Sequence, residues 1–345
     1  MPNTLAICAA VALATAALTW LARRYALWRR LLDEPGERRS HAVATPRGGG
    51  IAIVLSLSPL LGWLAVAPSA PAPRGYWLAV CAGTALVAFI GWWDDHRPLS
   101  ARRRFAVHLV AGALLGAAVA GAGGHWLAAS AAFVLAVGLL NVWNFMDGIN
   151  GLAASQAAIA AAVCGSLAAD PDLRLAAWAL AAACCGFLPF NFPRARIFLG
   201  DVGSGALGYL LAALVARGLF DRHANATEPQ SALLWLALLS VPLGAFGLDA
   251  SLTLLRRMLR GEAWWRPHVQ HAYQAWARRV GHARTTLAYA AWSGAGGLAA
   301  IASYRSDLPF GFMMVAIVVW QVAGGLLWFV LQDADRRMTS KGSPL

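Results

Sequence analysis

The feature that most constrains this chain is its succession of uninterrupted apolar runs, each about 17–22 residues long, from 3–22 to 310–331. A run of that length crosses the ~30 Å hydrocarbon core of a bilayer as a helix. No water is present there to satisfy the backbone, so each crossing is a helix or a strand of a closed barrel. The runs are rich in Ala, Leu, Val and Trp and lack period-two alternation, which selects helices. Composition agrees, with 13% charged residues against roughly 25% in a soluble domain. The expected fold is all-α, a polytopic bundle of about eleven transmembrane helices near 3–22, 49–66, 76–93, 105–121, 126–142, 151–168, 175–190, 203–220, 232–254, 285–304 and 310–331.

The first run has no basic region ahead of it and is followed by Arg23, Arg24, Arg29 and Arg30, so it reads as a retained anchor. The five cysteines (Cys8, Cys81, Cys164, Cys184, Cys185) lie inside apolar runs without metal-ligand spacing and read as small lipid-embedded side chains. Segments 23–48, 94–104, 143–150, 191–202, 255–284 and the tail 332–345 share one side of the membrane and hold 23 of the 28 Lys and Arg residues. The positive-inside rule turns that side to the cytoplasm and the N-terminus outward. The net charge of +12 then reflects orientation and anionic headgroups. Scattered over short loops, these charges argue against a nucleic-acid partner. The whole chain, 1–345, reads as one membrane domain, with an amphipathic stretch at Tyr273–Val280.

Nearly every unusual polar cluster falls on the cytoplasmic side. In GWWDDHRPLSARRRF, Asp94 and Asp95 end an apolar helix, where like charges repel and the helix dipole disfavours anions. Arg97, Arg102, Arg103 and Arg104 are the nearby cations. The plain reading is an interfacial ion-pair network; the functional one is a carboxylate pair facing metal or phosphate, with arginines clamping phosphate oxygens. In NVWNFMDGINGLA, Asn141, Asn144, Asp147 and Asn150 recur every third residue, a polar seam that either joins helices or lines a wet cavity. In NFPRARIFLGDVGSGALGY, Asp201 sits between glycines beside Arg194 and Arg196. It reads as a helix N-cap, and a carboxylate there also suits a hard cation. RPHVQHAYQ adds His268 and His271, and the first loop adds His41, Arg47 and Gly48–Gly50. Carboxylates, Mg²⁺ and arginines on one membrane face are what phosphoryl-group transfer requires.

Over about residues 33–275 these motifs, five in order, resemble the polyprenyl-phosphate N-acetylhexosamine-1-phosphate transferases, the MraY/WecA/TagO-like family. The resemblance implies transfer of a sugar 1-phosphate from a UDP-sugar donor to undecaprenyl phosphate, with release of UMP and use of Mg²⁺ or Mn²⁺. It implies a bacterial inner (cytoplasmic) membrane enzyme with cytoplasmic catalytic loops. Asp94 and Asp95 match the paired aspartates implicated in catalysis and acceptor handling. Asp201, with Asp147 and Asn150, matches the metal-binding positions. Asn144, Asn191, Phe198, Arg102, Arg104, Arg196, His268, His271, His41 and Arg47 fall to substrate binding. Asn150 stands where many bacterial relatives carry Asp. The P-H-x-x-H-x-Y-Q form of the histidine segment resembles the branch that begins O-antigen and related surface-polysaccharide assembly.

A transporter or flippase is the rival from another class. It predicts polar residues spread through the bilayer on discontinuous helices, whereas here they gather on one face. An inactive scaffold of the same fold is the third reading; intact Asp94, Asp95, Asp147 and Asp201 oppose it and Asn150 alone favours it. The sugar, the pathway and the oligomeric state, a homodimer included, stay open at this level.

Overall fold

A computed structural model describes residues 4–34, 43–67, 74–225, 230–263, 268–306 and 308–341. Among them are twelve helices: α1 (Thr4–Trp28), α2 (Ile51–Val66), α3 (Arg74–His96), α4 (Ala101–Gly121), α5 (Trp126–Met146), α6 (Leu152–Leu167), α7 (Pro171–Asn191), α8 (Gly200–Asn225), α9 (Gln230–Leu259), α10 (Ala272–Val280), α11 (His282–Arg305) and α12 (Phe310–Lys341). A two-residue antiparallel pairing joins β1 (Leu32–Asp33) to β2 (Thr45–Pro46), with Asp33 opposite Thr45. The protein is a multi-pass membrane protein: eight of these helices are long and apolar enough to cross a bilayer. The apolar helices α2 and α6 have 16 residues each, about 24 Å at the usual rise per residue.

Every expected run is helical, and α10 forms on the expected amphipathic stretch. The ends differ. Arg102, Arg103 and Arg104 stand in the first turn of α4 rather than in a loop, and α12 takes up most of the expected tail. Helices do not stop where hydrophobicity stops. Their backbone bonds continue into the interface, where arginine stems lie along apolar surface and the heads reach water.

The axis of the bundle is α8, which is buried throughout residues 202–219, whereas α12 is almost wholly turned outward. α8 packs against α3, α5, α6 and α9. Its Gly- and Ala-rich surface lets those neighbours come close without a hydrophobic gradient to drive them together. The approach of α3 is the one that matters most for the site. A Cβ at Gly91 would lie 2.5 Å from the backbone of Asp201, so glycine is what lets the end of α3 lie on the start of α8. At the other end of α8, Arg217 is buried against Asp170, which also caps α7 by accepting from the amides of Asp172 (2.7 Å) and Leu173 (3.2 Å).

Candidate active site

Four helix termini converge at one end of the bundle: the last turns of α3 and α5 and the first turns of α4 and α8. Asp95, 3% exposed, accepts from the amides of Asp201 (3.1 Å) and Val202 (3.3 Å). A carboxylate from α3 thus satisfies orphan donors at the start of α8 and stands at the positive end of its dipole. This corrects the reading of Asp201 as an N-cap: Asp201 is inside the first turn of α8, and its own amide is capped by Asp95. It also explains how two adjacent aspartates end α3. Asp95 is offset by α8 and by the positive charge of Arg47. Asp94 accepts from the Leu99 amide (2.5 Å) and from Arg104 Nη1 (3.0 Å).

The same Nη1 donates to Asp201 Oδ2 at 2.9 Å, so one guanidinium nitrogen bridges two carboxylates. The other oxygen of Asp201 accepts from Asn144 Nδ2 at 2.7 Å, and Asn144 also reaches Ser204 Oγ at 3.4 Å. Arg104, on the first turn of α4, and Asn144, near the end of α5, therefore hold Asp201 from two sides. Asp94, Asp95, Arg104, Asn144 and Asp201, carried by the four helices α3, α4, α5 and α8, form one cluster.

Asp147 follows α5 directly. Its carboxyl is raised to about 8, first by burial and then by the negative charges of Asp201, Asp95 and Asp33. Negative charge is in excess here, which suits a cation. Among the described residues no three carboxylate, imidazole or thiolate groups converge on one point.

A second set of residues fastens the loops around this cluster. Asn150 donates to the Pro193 carbonyl (3.1 Å), and its own carbonyl accepts from Thr286 Oγ1 (2.7 Å). Asn191 accepts from the Gly151 amide (2.8 Å) and donates to the Ile197 carbonyl (2.9 Å). Phe198 pairs through its backbone with Pro46 (2.8 Å) and Gly49 (2.9 Å), which draws the Arg47 segment to the start of α8.

The histidine segment forms a third group. His268 and His271 have ring centroids 4.8 Å apart, and His271 stacks on Phe145 at 6.4 Å. Nδ1 of His268 accepts from the Gln270 amide (3.3 Å). Burial, then the neighbouring His271 and Arg257, lower the His268 ring to about 4, so it is neutral at physiological pH. Among the described residues the structure joins neither Arg102 nor Arg196 to the carboxylate cluster; both side chains are exposed. His41 lies outside the described residues. Asp33, Tyr273 and Asp249 were not among the residues that the sequence pointed to as functional. Of these only Asp249 had a clear signal, as the one carboxylate inside the apolar run of α9.

Fold and site together define a polytopic membrane enzyme with its polar machinery gathered at one end of the bundle. Residues 77–218 match the model of Glycosyl transferase family 4. The chain is 32% identical to a decaprenyl-phosphate N-acetylglucosaminephosphotransferase of Mycobacterium tuberculosis, over 84% of this chain and 80% of the relative. It is 26% identical to a probable undecaprenyl-phosphate N-acetylglucosaminyl 1-phosphate transferase of Bacillus subtilis, over 75% and 74%. It is also 35% identical to a phospho-N-acetylmuramoyl-pentapeptide-transferase of a Synechococcus species, over 55% and 61%. The chain belongs to the polyprenyl-phosphate N-acetylhexosamine-1-phosphate transferase family and is a phosphotransferase acting on a polyprenyl phosphate acceptor.

Proposed function

We propose that this transferase moves an N-acetylhexosamine 1-phosphate from a UDP-sugar to undecaprenyl phosphate, releasing UMP, with Mg²⁺ as cofactor. The reaction runs at the cytoplasmic face of a bacterial inner membrane. Its product is the lipid-linked first sugar of a surface polysaccharide of the O-antigen kind. The observation that carries this reading is the meeting of Asp94, Asp95, Arg104, Asn144 and Asp201 at one end of the bundle, with Asp147 electrostatically coupled to them. Eleven crossings with the N-terminus outside would turn this end to the cytoplasm, where 23 of the 28 Lys and Arg residues then lie.

Asp201 and Asp147, with Asn150 nearby in sequence, would hold Mg²⁺, which when bound neutralises pyrophosphate charge. The chain's own residues do the rest. Arg104 lies between Asp94 and Asp201, where it lowers the repulsion between an anionic acceptor and an anionic donor. A phosphate monoester has its second pKa near ~6 and is largely dianionic at neutral pH, so it needs no strong base. The acceptor oxygen attacks the β-phosphorus of the donor. The bond from that phosphorus to the bridging oxygen breaks, and the electron pair leaves with UMP. Asp94 and Asp95 orient Arg104 and the start of α8 for this step.

The test uses purified protein, undecaprenyl phosphate, Mg²⁺ and a panel of UDP-N-acetylhexosamines, with UMP as readout. The names of the relatives make UDP-N-acetylglucosamine the first donor to try. One donor should release UMP, and Asp201→Asn should be silent while still inserted. Release of no UMP from any donor, or near-normal turnover and Mg²⁺ response in Asp201→Asn, would overturn the reading.

A further inference from the structure

Asp249 is the sole carboxylate of α9, and it is 2% exposed. A lone charge so buried is costly unless it is fully solvated by the protein. It is. Its oxygens accept from the amides of Ala272 (2.8 Å) and Tyr273 (3.0 Å), from Tyr289 Oη (3.0 Å), from Trp328 Nε1 (3.1 Å) and from Thr253 Oγ1 (3.2 Å). His271 Nδ1 stands 3.6 Å away, on a ring that is itself 3% exposed. The donors come from α9, α10, α11 and α12, so one carboxylate fixes where four elements meet.

The two amide donors are the first two residues of α10, and His271 directly precedes them. Asp249 therefore caps α10 from another helix, as Asp95 caps α8. What α10 then places is the turn that carries Asp147. Tyr273 Oη donates to the Phe145 carbonyl at 3.2 Å. The same hydroxyl fills the space of a side chain at Gly148, where a Cβ would lie 2.1 Å from it. His271 stacks on the ring of the same Phe145. A chain of direct contacts thus runs from Asp249 through His271 and Tyr273 to residues 145–148, and Asp147 belongs to the carboxylate group.

We propose that Asp249 is a positioning residue of the transfer reaction. It aims His271 and holds Tyr273 on the Asp147 turn, so that the histidine segment and the carboxylate cluster act on one donor pyrophosphate. The inference rests on the UDP-sugar reading above. A structural cap alone would need only acceptors for two amides. The carboxylate does more, because it also stands 3.6 Å from the buried Nδ1 of His271, close enough to bias the orientation of that ring as a carboxylate behind a histidine does.

The experiment is a double-mutant cycle on the full-length enzyme, with kcat and KM measured separately for UDP-sugar and for undecaprenyl phosphate. Thermal midpoints report folding. Wild-type turnover tests the underlying reading first; its absence sinks that reading and this proposal with it, whereas normal wild-type turnover leaves the variants to decide the proposal alone. Given turnover, Asp249→Asn should lower kcat about 10²-fold, the order expected for a displacement of ~1 Å at a reacting group, with the KM for the lipid unchanged. In a His271→Gln background the same change should cost clearly less than in the wild type, because part of its effect runs through that ring. Tyr273→Phe, which removes the hydroxyl that bonds the Phe145 carbonyl and leaves the ring in place, should fold and lower kcat in the same direction. If Asp249→Asn does not fold, the Tyr273→Phe and His271→Gln cycle decides. Independent, multiplying losses in the cycle, or a folded variant with normal kcat, would reduce Asp249 to a structural cap and overturn the proposal.

Discussion

At the scale of single residues, the two adjacent aspartates have different surroundings. Asp95 is committed to two backbone amides of α8, and Asp94 is held by the Leu99 amide and Arg104. A carboxylate that attacks phosphorus must release such bonds first, and each hydrogen bond to a charged group is worth about 1.5–3 kcal/mol. Both are therefore better placed to orient than to attack. The rival is a covalent route in which a carboxylate displaces UMP before the lipid reacts. The two routes part in exchange chemistry. Rigorously lipid-free enzyme given UDP-sugar and labelled UMP should show no exchange under direct attack. Exchange that is present in the wild type and lost in Asp94→Asn or Asp95→Asn would establish the covalent route instead.

At the scale of elements, the site depends on how closely α3 lies on α8. Gly91 is one turn before the aspartates, and a methyl there would lie 2.5 Å from the Asp201 backbone. Helices in a packed bundle do not yield by a few tenths of an ångström without moving everything attached to them. Gly91→Ala should cost about 1–3 kcal/mol of stability through overpacking. Gly91→Val should separate Asp94 and Asp95 from Asp201 and lower kcat by about 10²-fold, with the protein still inserted. Thermal midpoints and UMP release in detergent measure both effects. A Gly91→Val enzyme with wild-type kcat would mean that the geometry at this crossing does not matter for the reaction.

At the scale of the whole molecule, the distribution of charge makes a topological prediction. In a background free of the five native cysteines, single cysteines at Ala44, Ser100, Arg194 and Arg260, all exposed, should react with an impermeant reagent only from the cytoplasmic side. Cysteines at Gly121 and Arg305, also exposed, should react only from outside. Labelling of any one from the wrong face would break the eleven-crossing arrangement. It matters because α2 and α6, at 16 residues each, are short for a ~30 Å core, and two failed crossings would rearrange the loops between them.

The helices were legible in the amino-acid order because burial in a bilayer acts on each run separately. An apolar run has to satisfy its backbone internally, whatever its neighbours do. Asp94, Asp95, Asp147 and Asp201 were legible for a related reason. A charge at the edge of an apolar run is expensive, so its presence alone signals a purpose. Their partners were not legible. That Arg104 bridges Asp94 and Asp201, 107 positions apart in sequence, follows from α3, α4 and α8 packing together. So does the exchange of roles by which Asp95 caps the helix that Asp201 was expected to cap. Asp249 makes the point most sharply. Its charge was visible in the sequence, but its meaning lies in the amides, ring and hydroxyls that four packed elements bring to it. Hydropathy is a property of each segment, whereas hydrogen-bond partners are a property of the packed whole, and only tertiary structure supplies them.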